Sequence, residues 1–217
     1  MAKVQGVKEK LHSPLYDAFF VPGAGVNDSP PAKNFSGAMT DPRMIRFFVD
    51  VQNKTKLETN LQAAGVLPSL NTFEARALRV VVSSLHRFSP IKPKAGELQA
   101  ERNEAEILAD LIYNSVTTLI VGEKVMIEMP TFWFPAGAGV SPGFSTVTNH
   151  GEPDPTATFR FAEPVYIEPQ QNFRVEMLFP QGLPGQGTTP DENKLAGVKG
   201  PLRIWVVLDG YLTRDVQ

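Results

Sequence analysis

The chain has 217 residues, of which 42% are hydrophobic and 20% charged, and its formal net charge is −2 at pH 7. This balance is typical of a globular protein and gives no overall electrostatic reason to expect binding to nucleic acid or to an anionic membrane. The absence of cysteine excludes disulfides, thiolate nucleophiles and cysteine-based metal sites. No apolar run is long enough to predict a membrane span or a signal peptide.

Residues 1–40 are rich in proline and glycine and carry one short apolar cluster, the AFFV run that ends at Val21. Breakers at this density prevent a long helix, so we predict an extended N-terminal arm over these residues and a single domain over residues 41–217. The arm either wraps its own domain, which is the favoured interpretation, or reaches a neighbouring subunit. In the second case its anchors would be Phe19, Phe20 and Phe35.

Two runs early in the domain have the composition of β-strands. Residues 44–51 and residues 73–83 are both rich in β-branched and aromatic side chains. In the second run the alternation of apolar and polar residues fails at Val80, Val81 and Val82. That failure indicates either burial on both faces of the sheet or a β-bulge at these residues.

Residues 97–113 have a different period from the rest of the chain. Apolar side chains recur there at helical spacing, at Ala105, Leu108, Ala109 and Ile112. We therefore predict one helix over residues 97–113, inserted between early strands.

An acidic face on this helix follows a basic block in the sequence. The acidic residues are Glu101, Glu104, Glu106 and Asp110, and the basic residues are Arg76, Arg79, Arg87, Lys92 and Lys94. The acidic face is typical of a solvated helix surface, and paired carboxylates are the alternative interpretation. The two blocks pair either within one subunit, which their proximity in the sequence favours, or between copies.

The second half of the chain returns to strand composition. Residues 116–129 are strand-like, with Gly122 marking a bulge or a bend. Three further strand-like runs close the chain within residues 164–216, and apolar side chains alternate along residues 173–179 and 204–208. We expect these consecutive strands to form one antiparallel sheet that packs on the core through one face.

Two long segments rich in glycine and proline, residues 135–155 and 180–201, are predicted to be loops. About eight strands, one helix and no alternation of strands with helices predict an all-β fold, a two-sheet antiparallel β-sandwich. The long cross-connections favour the jelly-roll type over the immunoglobulin type, whose cysteine and tryptophan core is missing.

Residues that would carry catalysis or bind a metal are sparse. The histidines His12, His86 and His150 are isolated in the sequence, so a cupin-like metalloenzyme is the weakest alternative. The GFSTV segment begins like a nucleophile elbow, but Val147 stands where a second glycine is needed. We therefore expect no enzyme activity, no cofactor and no metal site.

An aromatic triplet, Phe132, Trp133 and Phe134, lies between Pro130 and Pro135. Such a triplet is typical of a core or interface anchor. The alternative is that its rings stack on a sugar or a base, as in a carbohydrate-binding or receptor-binding β-sandwich module.

The C-terminal strands resemble those of a known class of proteins. Residues 164–169 read PVYIxP, residues 173–179 read FxVxMxF, and residues 204–214 read IxVxLDGYxxR. This arrangement is similar to the closing strands of single jelly-roll virion proteins of bacterial viruses. The resemblance covers residues 164–216, and the predicted arm, inserted helix and long loops are similar to such coat proteins in organisation.

The resemblance implies a capsid (coat) protein of a bacteriophage, made in the host cytoplasm and found in the virion, that self-assembles as a homo-oligomer. Other virion proteins are further candidate partners, and no catalytic residue is implied. The predicted contacts between copies are the arm, the loops, the sheet edges and six aromatic residues: Phe19, Phe20, Phe35, Phe132, Trp133 and Phe134. Contact of the arm with nucleic acid stays open, because Lys3, Lys8 and Lys10 are too few to make a basic arm.

Overall fold

The computed structural model describes residues 8–21, 43–84, 111–139, 152–180 and 202–215. These residues form an all-β fold of two antiparallel sheets that share one core, which confirms the predicted β-sandwich. The jelly-roll topology stays a prediction. In chain order the strands are β1 (Lys8–His12), β2 (Leu15–Val21), β3 (Arg43–Phe47), β4 (Thr72–Ser84), β5 (Val116–Val121), β6 (Lys124–Pro130), β7 (Ala138–Gly139), β8 (Glu152–Pro153), β9 (Arg160–Ile167), β10 (Phe173–Phe179) and β11 (Leu202–Asp215).

Strand β11 organises the larger, five-stranded sheet. It pairs with β4 along one edge and with both β1 and β2 along the other. Strand β9 extends this sheet beyond β4. The smaller, four-stranded sheet has the order β3, β10, β5, β6, and strands β7 and β8 form a two-stranded ribbon.

The three closing strands do not form one sheet, contrary to the prediction. Strands β9 and β11 lie on either side of β4 in the larger sheet, whereas β10 lies between β3 and β5 in the smaller sheet. The alternation within β10 is confirmed, since its buried side chains are Phe173, Val175, Met177 and Phe179. Alternation determines which face of a strand is buried, but it does not specify the partner strand.

The structure describes two parts of the predicted N-terminal arm. Residues 8–12 and 15–21 are the strands β1 and β2 of the larger sheet, and both pair with β11 of the same chain. The chain there is extended, as predicted, and the backbone N–H and C=O groups that face β11 form hydrogen bonds in the ladder. The other residues of the segment 1–40 lie outside the described ranges.

Several predicted boundaries are refined. Strand β3 ends at Phe47 because Phe48 adopts a left-handed backbone conformation, with φ of 68°. Gly122 has φ of 63° and lies in the turn between β5 and β6, so it marks a bend rather than a bulge. Residues 111–113 are helical, as predicted for the end of the inserted helix, and residues 97–110 lie outside the described ranges.

Side chains from both sheets form the core. Phe73 and Ile204 of the larger sheet and Phe47 and Phe179 of the smaller sheet have no exposed surface. Complete burial of a side chain of this size contributes about 1.5–3 kcal/mol of transfer free energy. The attraction between the two apolar faces is therefore the main interaction that joins the sheets.

One buried carboxylate adds a polar link between the sheets. Asp17 of β2 is fully buried and accepts a hydrogen bond of 2.7 Å from the N–H of Phe48, which directly follows β3. Its other oxygen lies 2.8 Å from Lys54 Nζ. Burial raises the pKa of Asp17, and the hydrogen bonds from Lys54 and Phe48 offset part of that rise. This carboxylate fixes the backbone after β3 against the larger sheet.

A β-bulge interrupts the larger sheet at Arg76. In the pairing of β4 with β11, Ala77 is opposite Asp209 and Ala75 is opposite Gly210. Arg76 therefore has no partner on β11, and β4 carries one extra residue at this point.

The bulge changes the phase of the buried residues along β4. Phe73 and Ala75 are buried before it, and Leu78 and Val80 are buried after it. Of the two interpretations of the valine run, burial on both faces or a bulge, the bulge is wrong in position, because it lies a few residues earlier, at Arg76. Alternation fails in that run because a valine, Val81, also occupies the outer face, where it is half-buried.

We expect Gly210→Ala to lower the free energy of unfolding by about 3 kcal/mol or more. A Cβ at this position would lie 2.1 Å from the carbonyl oxygen of Glu74 on β4. A backbone oxygen cannot move away without opening the β4–β11 ladder. Urea unfolding followed by circular dichroism measures the change.

Gly122→Ala is the matched control for this substitution. Unlike Gly210, Gly122 has a positive φ, of 63°, and the nearest atom to a Cβ there is Gln171 Nε2, at 3.7 Å. We expect a loss of about 1 kcal/mol, from the left-handed backbone alone. Equal losses in the two variants would contradict the importance of the close approach at Gly210.

Candidate functional site

A one-turn 3-10 helix, Thr131–Trp133, follows β6 at the edge of the smaller sheet. Thr131 is buried, and its hydroxyl oxygen lies 2.7 Å from Ser115 Oγ and 2.8 Å from Thr117 Oγ1. The N–H of Thr131 also donates to the carbonyl oxygen of Ser115, at 2.9 Å. This buried hydroxyl cluster fixes the turn and the directions in which the adjoining aromatic side chains project.

Two side chains of the aromatic triplet are exposed. Phe132 is 45% exposed and Trp133 is 52% exposed, and their ring centroids are 6.0 Å apart. The ring of Tyr113, which is 68% exposed, lies 5.8 Å from that of Phe132. We refer to Tyr113, Phe132 and Trp133 as the aromatic surface. Three adjoining exposed rings, two of them on a fixed turn, are able to bind an apolar or ring-shaped partner.

The third member of the triplet, Phe134, is a core residue. It is 2% exposed, and its ring packs edge to face against Phe159 with a centroid distance of 5.5 Å. Its carbonyl oxygen accepts a hydrogen bond from the N–H of Val80. The interface role predicted for Phe134 is therefore corrected to a role in packing.

The phenylalanines predicted for the arm lie elsewhere in the fold. Phe19 is partly buried against the core, and Phe20 is 42% exposed with the guanidinium of Arg203 5.5 Å from its ring. Both belong to β2 of the larger sheet, whereas the aromatic surface follows β6 of the smaller sheet. Phe35 lies outside the described residues.

A second candidate site is an open cleft of about 430 Å³ on the larger sheet. Strands β1, β4, β9 and β11 all contribute to its lining. The lining includes His12, Arg76, Arg160, Phe161, Asp209 and Tyr211.

Two irregularities in strand pairing form this cleft. Strand β4 bulges at Arg76, and β9 makes a longer excursion at the same level. Ala75 is opposite Val165, whereas Ala77 is opposite Arg160, so residues 161–164 have no partners on β4. Most of that excursion lines the cleft. Bulges commonly redirect side chains beside functional sites, and here the redirected side chain is a guanidinium.

Asp209 organises one group of charges at the cleft. Its Oδ1 lies 2.8 Å from His12 Nε2, and its Oδ2 accepts a hydrogen bond of 3.1 Å from Arg79. The ring of His12 also lies 5.6 Å from the ring of Tyr211. These contacts connect β1, β4 and β11 at the bulge.

Glu74 organises a second group of charges. It forms ion pairs with Lys10 and Arg76. Hydrogen bonds from these two cations lower the pKa of its carboxyl group, and the bond from Lys10 has the larger effect. Both cations also lie over the ring of Tyr211, at 4.9 Å for Lys10 and 5.2 Å for Arg76. Stacking of cations on an aromatic face is favourable, so Tyr211 helps to orient them.

The cleft was not predicted from the sequence. The sequence pattern that could have indicated the cleft is the shift in the alternation of buried residues along β4 at Arg76. The valine run that follows Arg76 hid this shift. Arg76 and Arg79 were assigned to a basic block facing an acidic helix, but in the described residues they pair with Glu74 and Asp209. The rest of that block and the acidic face lie outside the described ranges.

Among the described residues, no group of three or more histidine, aspartate or glutamate side chains is placed to hold a metal ion, while His86 and His150 lie outside those ranges. No helix in the described part of the chain is long and apolar enough to cross a membrane. Neither models of known protein families nor curated protein sequences match this chain.

We expect Glu74→Gln to lower stability at neutral pH and to flatten the loss of stability in acid. A lowered pKa means that ionised Glu74 stabilises the fold above its unfolded pKa of 4.5, and that this contribution is lost as the pH falls through the folded pKa. Urea unfolding at a series of pH values between about 3 and 7 measures the effect.

Glu123→Gln is the control, since Glu123 is an exposed residue of the turn between β5 and β6. The control should retain the acid-dependent loss of stability of the native protein. An identical pH profile in both variants would show that the cations around Glu74 do not matter for folding.

Proposed function

We propose that the protein is a structural virion subunit of jelly-roll type that assembles with copies of itself, and that the aromatic surface is buried between copies. The observation that carries this proposal is the exposure of Tyr113, Phe132 and Trp133 as adjoining rings. The resemblance of residues 164–216 to coat proteins of bacterial viruses supports the same role.

The energetics of the aromatic surface favour association. Each aromatic side chain buries about 150–250 Å² when covered, at about 25 cal/mol per Å² of apolar surface. Aromatic residues are also enriched at the centres of protein interfaces. Because buried hydroxyl groups already fix the turn at Thr131, little further ordering of the backbone is needed when a partner binds.

The neighbouring edge strand β6 favours contact through side chains. It exposes two further apolar residues, Val125 and Met126. It is poorly suited to pairing with a strand of another copy, because Pro130 lacks an N–H and Met126 has no partner on β5. We therefore infer an interface of packed side chains and not a sheet that continues between subunits.

Glycan binding, as in a carbohydrate-binding or receptor-binding module, is the second candidate function. The observation that favours it is the position of Trp133, which is half exposed and packs edge to face against Phe159 at 6.5 Å. A fixed indole ring of this kind can stack on the apolar face of a sugar ring. Both candidates use Trp133, so experiments must separate them.

We expect the purified protein to form discrete oligomers or particles. The double variant Phe132→Ser, Trp133→Ser should weaken that association at least about tenfold, because two large rings leave the contact. Sedimentation velocity over a range of concentrations, together with electron microscopy, measures both outcomes.

Tyr166→Ser is the control for the double variant, since it removes a ring that is 55% exposed on β9 of the larger sheet. A native protein that stays monomeric at high concentration in low and high salt would refute the proposal. Unchanged assembly of the double variant would refute the role of the aromatic surface. Deletion of residues 1–40 is a less direct test, because it removes β1 and β2 from the larger sheet.

If the second candidate is correct, the protein should bind specific glycans on an array, and Trp133→Ala should abolish that binding while Tyr166→Ala leaves it intact. The physical reason is the loss of the exposed indole face. An array without binding, or binding that survives Trp133→Ala, would remove this candidate and leave self-assembly to be judged on its own test.

A further inference from the structure

We propose that the cleft on the larger sheet binds a small organic oxyanion, meaning a carboxylate or phosphate group attached to a body about the size of one sugar ring. The proposal is independent of self-assembly, because the cations that would bind the anion, Arg76 and Arg160, are not part of the aromatic surface. It rests on strand pairing, charge and shape.

Strand pairing leaves one arginine in the middle of the larger sheet without a partner on either neighbouring strand. Ala75 and Ala77 have partners on both β9 and β11, whereas Arg76 between them has a partner on neither. A bulge in the middle of a sheet breaks the hydrogen-bonded ladder, and bulges are concentrated beside functional sites. The residue that this bulge redirects lines the cleft.

Among the described residues, the two carboxylates at the cleft are already paired, and guanidinium N–H donors remain without acceptors. Asp209 is already paired with His12 and Arg79, and Glu74 is already paired with Lys10 and Arg76, as described above. Neither carboxylate is therefore a free acceptor for a bound cation. The groups that remain available to a ligand in the described part of the chain are guanidinium groups, which are positively charged.

Arg160 supplies most of that available charge. It lines the cleft and is exposed, and its guanidinium has no ion pair or hydrogen bond with any residue that the structure describes. Arg76 binds Glu74 through Nε and one terminal nitrogen, and its other terminal nitrogen has no hydrogen-bond acceptor in the described part of the chain. Guanidinium groups match the geometry of carboxylate and phosphate oxygens, and such hydrogen bonds are stronger than neutral ones.

The shape of the cleft indicates more than a bare ion. Its volume of about 430 Å³ falls within the range of small-molecule sites. Apolar groups form much of the wall: Ala77, Pro155, Phe161, Ala162 and Pro164. A ligand with one anionic group and a compact body would use both the free guanidinium donors and this apolar wall.

The test is a titration of the full chain with three sugars of one ring size: glucuronate, glucose 6-phosphate and neutral glucose. We expect saturable amide chemical-shift changes around Arg76, Arg160 and Tyr211 with at least one of the two anionic sugars. Binding of glucuronate alone identifies a carboxylate site, and binding of glucose 6-phosphate alone identifies a phosphate site. Binding of both identifies a general oxyanion site.

Arg160→Gln should weaken that binding at least about tenfold and leave the fold intact, because the Arg160 side chain is exposed and its guanidinium has no ion pair or hydrogen bond among the described residues. Arg174→Gln, on β10 of the smaller sheet, is the matched control and should bind as the native protein does. Three results would overturn the proposal: no saturation with either anionic sugar up to about 50 mM, equal binding of glucose, or unchanged binding in Arg160→Gln. Self-assembly measured in Arg160→Gln should be unchanged, so failure of one proposal is distinguishable from failure of the other.

Discussion

The pairing of β4 with β11 is the constraint on which the rest of the sandwich depends. Strand β11 carries β4 on one edge and both β1 and β2 on the other, so its backbone holds most of the larger sheet together. The ladder accommodates the extra residue Arg76 only because Gly210 has no side chain to collide with the carbonyl oxygen of Glu74. The same bulge shifts the phase of β4 and thereby decides which of its side chains reach the core and which reach the cleft.

The two sheets are positioned by a different interaction. Burial of apolar side chains attracts the sheets but has no preferred direction, whereas a buried carboxylate must be satisfied by particular donors. Asp17 finds those donors in Lys54 and the N–H of Phe48, on the segment that follows β3. Because burial raises the pKa of Asp17, ionisation of this carboxyl group lowers the free energy of unfolding as the pH rises from the unfolded pKa of 3.8 through the folded pKa. Glu74 has the opposite effect, so the two carboxylates partly compensate each other across the acid range.

The sequence predicts the strands of this fold better than their partners. Strand β10 was predictable because a strict alternation of apolar side chains is a local property of the chain. Its place in the other sheet from β9 and β11 was not, because pairing between distant segments leaves no local pattern. The aromatic triplet illustrates the same limit. Phe132, Trp133 and Phe134 are chemically alike, but the buried hydroxyl of Thr131 and the packing of Phe159 make two of them surface residues and one a core residue.

The two proposed contacts meet at a short row of aromatic rings. Trp133 packs against Phe159 at 6.5 Å, and Phe159 packs against Phe161, which lines the cleft, at 6.3 Å. Phe159, at the centre of the row, also packs against the core residue Phe134. The two ends of the row are Trp133, in the aromatic surface, and Phe161, in the cleft. A change at Phe159 would therefore disturb the aromatic surface and the cleft together. Trp133 lies at one end of the row and Arg160 is not part of it, so substitutions at these two residues test the aromatic surface and the cleft separately while Phe159 keeps its contacts with Phe134 and Phe161.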